Sequence, residues 1–164
     1  LGSMMLSKEA ITDVSEEIRG SDYYKPAHET IHNTIIDLMG RGEPADAVTV
    51  VGELQRQGDL SRVGGASYIH SLIASVPTAA NAGYYARIVK ERAILRRLVT
   101  AGTRVVQLGY ADAGGDVDEI VDKAQAEIFA VAERQAQTDY VSMAEMSKKR
   151  DCPYRGHQSI HPFS

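Results

Sequence analysis

The feature that most constrains the fold is a pair of amphipathic helices, which the apolar spacing predicts at Asn81–Gly109 and Asp116–Arg134. The short segment Tyr110–Gly115 joins them, as is typical of two antiparallel helices packed side by side. The first helix carries apolar residues beyond the face that one partner helix can cover. We therefore expect the hairpin to contact another chain, and the sequence favours an assembly or docking module.

The rest of the chain predicts an all-α fold, because apolar residues recur at helical spacing and strict alternation is absent. Residues 1–78 are predicted to form a small globular helical bundle, followed by an antiparallel two-helix hairpin at 79–136. Residues 137–164 lose the periodicity and are predicted to be a linker or a disordered tail, with a non-native origin left open. Leu1–Leu6 is predicted to be the end of a helix that begins upstream.

Several helix starts are predicted from residues that favour the first turn. Ser7, Thr49 and Asn81 are predicted N-caps, because their side chains can accept hydrogen bonds from free backbone N–H groups. Pro26 is predicted in a first helical turn, where its missing N–H costs nothing.

Charge and cysteine content exclude several classes of protein. The net charge of −4 lacks the basic excess of an autonomous nucleic-acid binder. The single cysteine, Cys152, cannot form an internal disulfide and fits a reducing, cytoplasmic location. No apolar run is long enough to predict a membrane span. No glycine is followed by lysine, so a P-loop is absent and no catalytic residue, cofactor site or metal site is predicted.

One motif argues for catalysis. His28–His32 has the pattern H-E-x-x-H, in which His28 and His32 could bind Zn²⁺ while Glu29 activates water. Leu38 occupies the position of the third histidine in the extended pattern, and no strand is predicted to bind a substrate. We therefore interpret His28 and His32 as partly buried residues with hydrogen-bonded rings. A zinc metallopeptidase remains the alternative interpretation.

Several segments, taken together, resemble the N-terminal domain of bacterial replicative DNA helicases of the DnaB family. They include the sequence DYYKPAHETI at 22–31 and GEPADAVTV at 42–50. The other matching segments are Leu1–Met4, Val63–Tyr68, Val76–Asn81, Tyr84–Val89 and Leu95–Leu98. The segments occur in the family's order over about residues 1–136. The family typically has an aromatic residue at position 32, so the resemblance weakens the zinc hypothesis.

The resemblance implies a collar domain on one face of a hexameric ring. Hairpins of neighbouring subunits would pair into dimers, three dimers would form the ring, and the collar would bind primase. The motor domain, with its ATP and Mg²⁺ and most of the DNA contacts, would lie downstream, so this chain would not itself hydrolyse ATP.

Candidate interface residues come from the hairpin and the small helix before it. Tyr68, Val99 and Val105 are the candidates for the primase surface, and burial of all three in the intramolecular core is the alternative. The candidates for hairpin dimerisation are Leu95, Leu98, Val106, Val117, Ile120, Val121, Ala124, Ile128 and Val131.

The basic residues of the first long helix leave a third possibility open. Arginines recur between Arg87 and Arg97, which could serve direct DNA binding with a salt-dependent affinity. The second helix begins with acidic residues, and we expect this opposite charge to hold the two helices together instead.

Overall fold

The structure is a computed structural model that describes residues 1–111 and 114–150, with side chains described as far as Arg134. In these residues it has α-helices and no strand, which confirms the predicted all-α fold. The helices are α1 (Gly2–Leu6), α2 (Lys8–Glu17), α3 (Pro26–Gly40), α4 (Ala47–Gln57), α5 (Gly65–Ala74), α6 (Ala82–Tyr110) and α7 (Val117–Arg150). Two 3₁₀ turns, Gly20–Asp22 and Ala79–Asn81, precede α3 and α6.

The hydrophobic core lies among α1 to α5, with the start of α6 packed against it. Its centre is the inner face of α3, where Ile31, Ile35 and Leu38 are fully buried at helical spacing. Leu54 of α4 and Ile69 of α5 are equally buried against it. Each such side chain contributes roughly 1.5–3 kcal/mol of transfer free energy, so this cluster contributes strongly to the stability of the globular part.

Local hydrogen bonds at the helix starts agree with some predicted caps and correct others. The Ser7 hydroxyl accepts a hydrogen bond from the backbone N–H of Ala10, and Pro26 is the first residue of α3, both as predicted. The prediction that Thr49 caps α4 is wrong. The Asp46 carboxylate is the cap and accepts hydrogen bonds from the backbone N–H and the hydroxyl of Thr49, each at 2.9 Å. These two bonds hold the pKa of Asp46 below its usual range.

The start of the long helix also differs from the prediction. Asn81 directly precedes α6, but its side chain makes no capping hydrogen bond. The Thr78 hydroxyl accepts from the backbone N–H of Ala80 at 3.2 Å, and the 3₁₀ turn then continues into α6. The chain therefore enters α6 through a preformed turn, which leaves no free first turn for Asn81 to cap.

The second hairpin helix is longer than predicted. α7 continues to Arg150, past the end predicted at Arg134, so residues 137–150 are helical. The assignment of residues 137–164 to a linker or tail stays a prediction. Residues 135–150 contain neither glycine nor proline, so no residue breaks the helix even though the apolar periodicity has ended. Cys152 and the rest of the predicted tail lie outside the described residues.

Gly2 lies at the contact of α1 with α5, and Gly52 lies on an open face of α4, so the two glycines allow a matched test of this packing. A Cβ at Gly2 would overlap the backbone carbonyl oxygen of Leu72 and a methyl group of Val76, whereas a Cβ at Gly52 in α4 would meet no atom within 4 Å. We expect Gly2→Ala to lower the free energy of unfolding by about 1–3 kcal/mol. Gly52→Ala, the matched control, should raise it by about 0.5–1 kcal/mol. Urea unfolding of both variants measures this, and equal effects would contradict the close packing of α1 on α5.

Candidate protein-binding face of the hairpin

The two hairpin helices meet along a seam that uses one side of each. The Arg104 guanidinium of α6 donates a hydrogen bond to the Glu127 carboxylate of α7 at 3.2 Å. Ile120, Ala124 and Val131 share this side of α7 at helical spacing and are half-buried. On α6, the small Ala101 is almost completely buried. These residues form the intramolecular contact of the hairpin.

The opposite side of α6 presents large apolar side chains to solvent. Ile88, Leu95, Val99 and Val106 are separated by seven, four and seven residues, so they form one stripe along the helix. Their exposed fractions are 42%, 52%, 69% and 57%. The residues of α6 that are buried within the chain are all alanines: Ala82, Ala86, Ala93 and Ala101. The stripe therefore points away from everything that α6 packs against in its own chain.

α7 also presents large apolar side chains to solvent. Val117, Val121 and Ile128 lie beside the seam residues and are exposed at 70%, 48% and 45%. We call these three residues and the four-residue stripe of α6 the apolar face of the hairpin. Clusters of exposed large apolar side chains, as found on both helices of the hairpin, are typical of a surface that binds another protein.

The predicted interface residues occupy different environments. The exposed ones are Leu95, Leu98, Val99, Val106, Val117, Val121 and Ile128, whereas Tyr68, Val105, Ile120, Ala124 and Val131 are half-buried. Val105 and the half-buried residues of α7 lie toward the seam, and Tyr68 packs against the core. Their assignment to primase or to a second copy stays a prediction. Phe129 and Tyr110 are also exposed, at 67% and 87%, and neither is among the predicted interface residues.

A buried carboxylate attaches the hairpin to the globular part. Asp22 is 8% exposed, and one of its carboxylate oxygens accepts from the backbone N–H of Arg19 at 2.8 Å. Arg97 donates to the other carboxylate oxygen, and Arg96 donates to the Asp22 backbone carbonyl at 2.6 Å. The Arg96 guanidinium also lies 5.6 Å from the centre of the Tyr24 ring, within cation–π range.

This attachment corrects the expectation that the arginines of α6 pair with the acidic second helix. Arg104 does so, but Arg97 pairs with Asp22, which lies 75 residues earlier in the chain. The spacing of the sequence contains no signal for such a long-range contact. Two of the arginines considered for direct DNA binding, Arg96 and Arg97, are thus used inside the molecule.

The two histidines of the H-E-x-x-H motif lie in an aromatic cluster. Nε2 of His28 is 2.6 Å from the Tyr68 hydroxyl oxygen, and the two rings are stacked. The Tyr23 ring contacts both imidazoles, with centroids 6.1 Å from His28 and 5.3 Å from His32. His32 is 3% exposed, and no hydrogen-bond partner of its Nδ1 is present in the described part of the chain.

The cluster favours neutral histidines rather than a metal centre. Burial lowers the pKa of His32 to about 4, and burial together with the Lys25 charge lowers that of His28. Burial and the Asp22 charge raise the pKa of Tyr23. No group of three or more potential metal ligands occurs among residues 1–111 and 114–134. Nothing in the geometry supports the zinc metallopeptidase alternative.

Comparison with known proteins identifies the family. Residues 1–91 match the family described as DnaB-like helicase N terminal domain. The chain belongs to this family. The replicative DNA helicase DnaB of Mycobacterium leprae is 62% identical over 147 residues, which cover 89% of this chain and 24% of that protein. The replicative DNA helicase DnaB of Leifsonia xyli subsp. xyli is 54% identical over 145 residues, which cover 88% and 32%.

A solved structure agrees with the fold. The crystal structure of the N-terminal domain of DnaB helicase from Mycobacterium tuberculosis is 65% identical, has a TM-score of 0.76, and aligns with 79% of this chain and 90% of that one. The chain spans about a quarter to a third of the length of these curated relatives. In the described part of this DnaB-like domain, no helix is both long and apolar enough to cross a membrane.

We expect removal of the Asp22 carboxylate to lower the free energy of unfolding strongly. Asp22→Ala should lower the free energy of unfolding by about 3 kcal/mol, because Arg97 would be left partly buried without its counter-ion. The matched control is Asp59→Ala, which breaks the more exposed pair with Arg62 and should cost less than about 1 kcal/mol. Chemical denaturation followed by circular dichroism measures both. Equal losses would show that the attachment contributes little.

The lowered pKa of His32 predicts that the stability of the fold depends on pH. Its pKa is about 4 in the folded chain and near 6.5 unfolded, so the contribution of neutral His32 is complete above pH 6.5 and is lost as the pH falls toward 4. The loss should reach about 3 kcal/mol at pH 4. His32→Phe should remove this component, whereas His70→Phe, at an exposed histidine of α5, should keep it. Urea unfolding between pH 7 and 4 measures the difference, and parallel curves for all three proteins would contradict it.

Proposed function

We propose that this domain is the collar part of a hexameric replicative DNA helicase, where it pairs protomers and binds primase at the replication fork. The observation that carries the proposal is the exposed apolar face of the hairpin, on a domain of the DnaB-like family. The named relatives are replicative DNA helicases. In the whole protein, a motor domain that uses ATP and Mg²⁺ would follow this one and make most of the DNA contacts in the cytoplasm.

The difference between the two sides of α6 supports the proposed pairing of protomers. The alanine side is already covered within the chain, whereas Leu95, Val99 and Val106 are about half or more exposed. A second copy that presents the same face would cover both surfaces in an isologous contact. Each apolar side chain removed from water would contribute up to about 1.5–3 kcal/mol to the association. Three such dimers would build the ring.

The proposed primase surface consists of the three candidates Tyr68, Val99 and Val105. Val99 is the most exposed of the three primase candidates, whereas Tyr68 and Val105 are half-buried. Val99 lies in the same stripe as Leu95 and Val106, so primase and the second copy would contact neighbouring or shared parts of α6. A change at Val105 would also disturb the seam, so Val99 is the cleaner site for a test.

Charged substitutions on the apolar face test protomer pairing. Leu95→Glu combined with Val106→Glu should weaken self-association at least tenfold, because each glutamate would have to be buried without a partner. The matched control is Val48→Glu, at a valine of α4 that is 79% exposed and lies outside the hairpin. Sedimentation equilibrium measures the association, and circular dichroism checks the helical content. A wild-type domain that remains monomeric at high concentration would refute the pairing.

A second measurement separates primase binding from pairing. Val99→Glu should weaken binding of primase at least tenfold in a titration with the purified partner, while Val48→Glu leaves it unchanged. If Val99→Glu unfolds the domain, the valine belongs to the core and its assignment to primase is wrong. If it abolishes pairing and leaves primase binding intact, Val99 belongs to the dimer contact.

A further inference from the structure

A second surface of the hairpin has a different chemistry from the apolar face. A cavity of about 410 Å³ lies between the segment Ser21–Tyr24, α6 and α7. Its volume is within the range of small-ligand sites in proteins. The charged side chains among its described lining residues are Arg96, Arg97, Arg104, Arg134 and Glu127.

The lining is strongly basic although the whole chain is acidic. Four arginines and one glutamate line the cavity, on a chain whose net charge is −4. Arg134 also lines a smaller pocket with Glu17 and Asp22, whose carboxylates reduce its contribution to the charge of the cavity. The carboxylate of Glu127 offsets the charge of Arg104, and the carboxylate of Asp22, which does not line the cavity, offsets the charge of Arg97. Arg96 contacts a backbone carbonyl and the Tyr24 ring, which are both neutral groups, and no carboxylate pairs with it in the described part of the chain. The cavity therefore has positive charge at Arg96 that no carboxylate of the described residues offsets.

We propose that this cavity binds a small oligophosphate anion, that is, a ligand with two or more linked phosphate groups. Guanidinium groups bind phosphate oxygens through paired, charge-assisted hydrogen bonds. A chain of phosphates places several negative charges within a few ångströms. Acidic side chains on one face of an extended peptide recur only about every 7 Å, so few of them would fit in so small a cavity. The proposal is independent of protomer pairing and of primase.

The Tyr24 ring at the rim of the cavity allows a test of whether the phosphates belong to a nucleotide or to an inorganic oligophosphate. Tyr24 is 79% exposed, so the face that Arg96 leaves free could stack on a nucleobase. A nucleoside triphosphate would use both the arginines and this ring, whereas inorganic tripolyphosphate would use the arginines alone. If the natural ligand is a nucleotide, Tyr24→Leu should therefore weaken the binding of adenosine triphosphate severalfold. The same change should leave the binding of tripolyphosphate unchanged. Equal affinities of the two probes would assign the site to inorganic oligophosphates.

Opposite changes of charge inside the cavity test the proposal. The probe is tripolyphosphate, titrated calorimetrically into the chain at constant ionic strength without divalent metal. Arg104→Gln should raise the dissociation constant about three- to tenfold, and Glu127→Gln should lower it about threefold, because it removes the negative charge that competes with the ligand. Arg92→Gln is the control, since this exposed arginine of α6 makes the same change of charge outside the cavity and should alter binding less than twofold.

Several results would overturn the proposal. They are an absence of tripolyphosphate binding, an unchanged dissociation constant in Glu127→Gln with intact circular dichroism, and an equal effect of Arg92→Gln and Arg104→Gln. The last result would indicate diffuse attraction by the whole helix. Tighter binding of hexaglutamate or of a single-stranded oligonucleotide than of tripolyphosphate would assign the surface to a peptide or to nucleic acid instead.

Discussion

The position of the hairpin depends on one buried carboxylate. Asp22 accepts hydrogen bonds through both carboxylate oxygens and through its backbone carbonyl, and two of the donors are consecutive arginines of α6. A carboxylate that is nearly excluded from water is costly unless such donors surround it. Arg96 and Arg97 therefore help to hold α6 in the orientation in which its alanine side faces inward and its large apolar side chains face solvent.

This arrangement reverses the usual distribution of apolar volume on a surface helix. In an amphipathic helix the large side chains normally face the core and small or polar ones face water. In α6 the residues buried within the chain are alanines, while Leu95 and Val99 are exposed. Alanine permits close approach of α2 and α7 but buries little area for each residue. Within one chain, the largest apolar side chains of the α6 stripe therefore stay exposed to solvent.

The sequence predicted the helices well, because helical periodicity and local caps are short-range properties. The inner face of α3, the cap at Ser7 and the first-turn Pro26 all follow from residues within one or two turns of each other. The cap at Asp46 was missed because two polar residues three positions apart, Asp46 and Thr49, both suit an N-cap, and only the backbone geometry distinguishes them. The attachment through Asp22 could not be predicted, because its partners lie more than 70 residues away and no local pattern marks them. The aromatic cluster around His28 and His32 also includes Tyr68, which follows His28 by 40 residues, so the spacing within the H-E-x-x-H motif does not predict it.

The two surfaces of the hairpin are adjacent, and one side chain borders both. Arg96 lines the basic cavity, and it also lines a shallow groove with Leu95 and Val99 on the apolar face. Its hydrogen bond to the Asp22 carbonyl and its contact with Tyr24 hold it between them. An anion in the cavity and a protein on the apolar face would influence each other only if the position of Arg96 differs between the free and the paired domain. Any such coupling must be reciprocal, so an anion that binds the paired domain more tightly would strengthen pairing by the same factor.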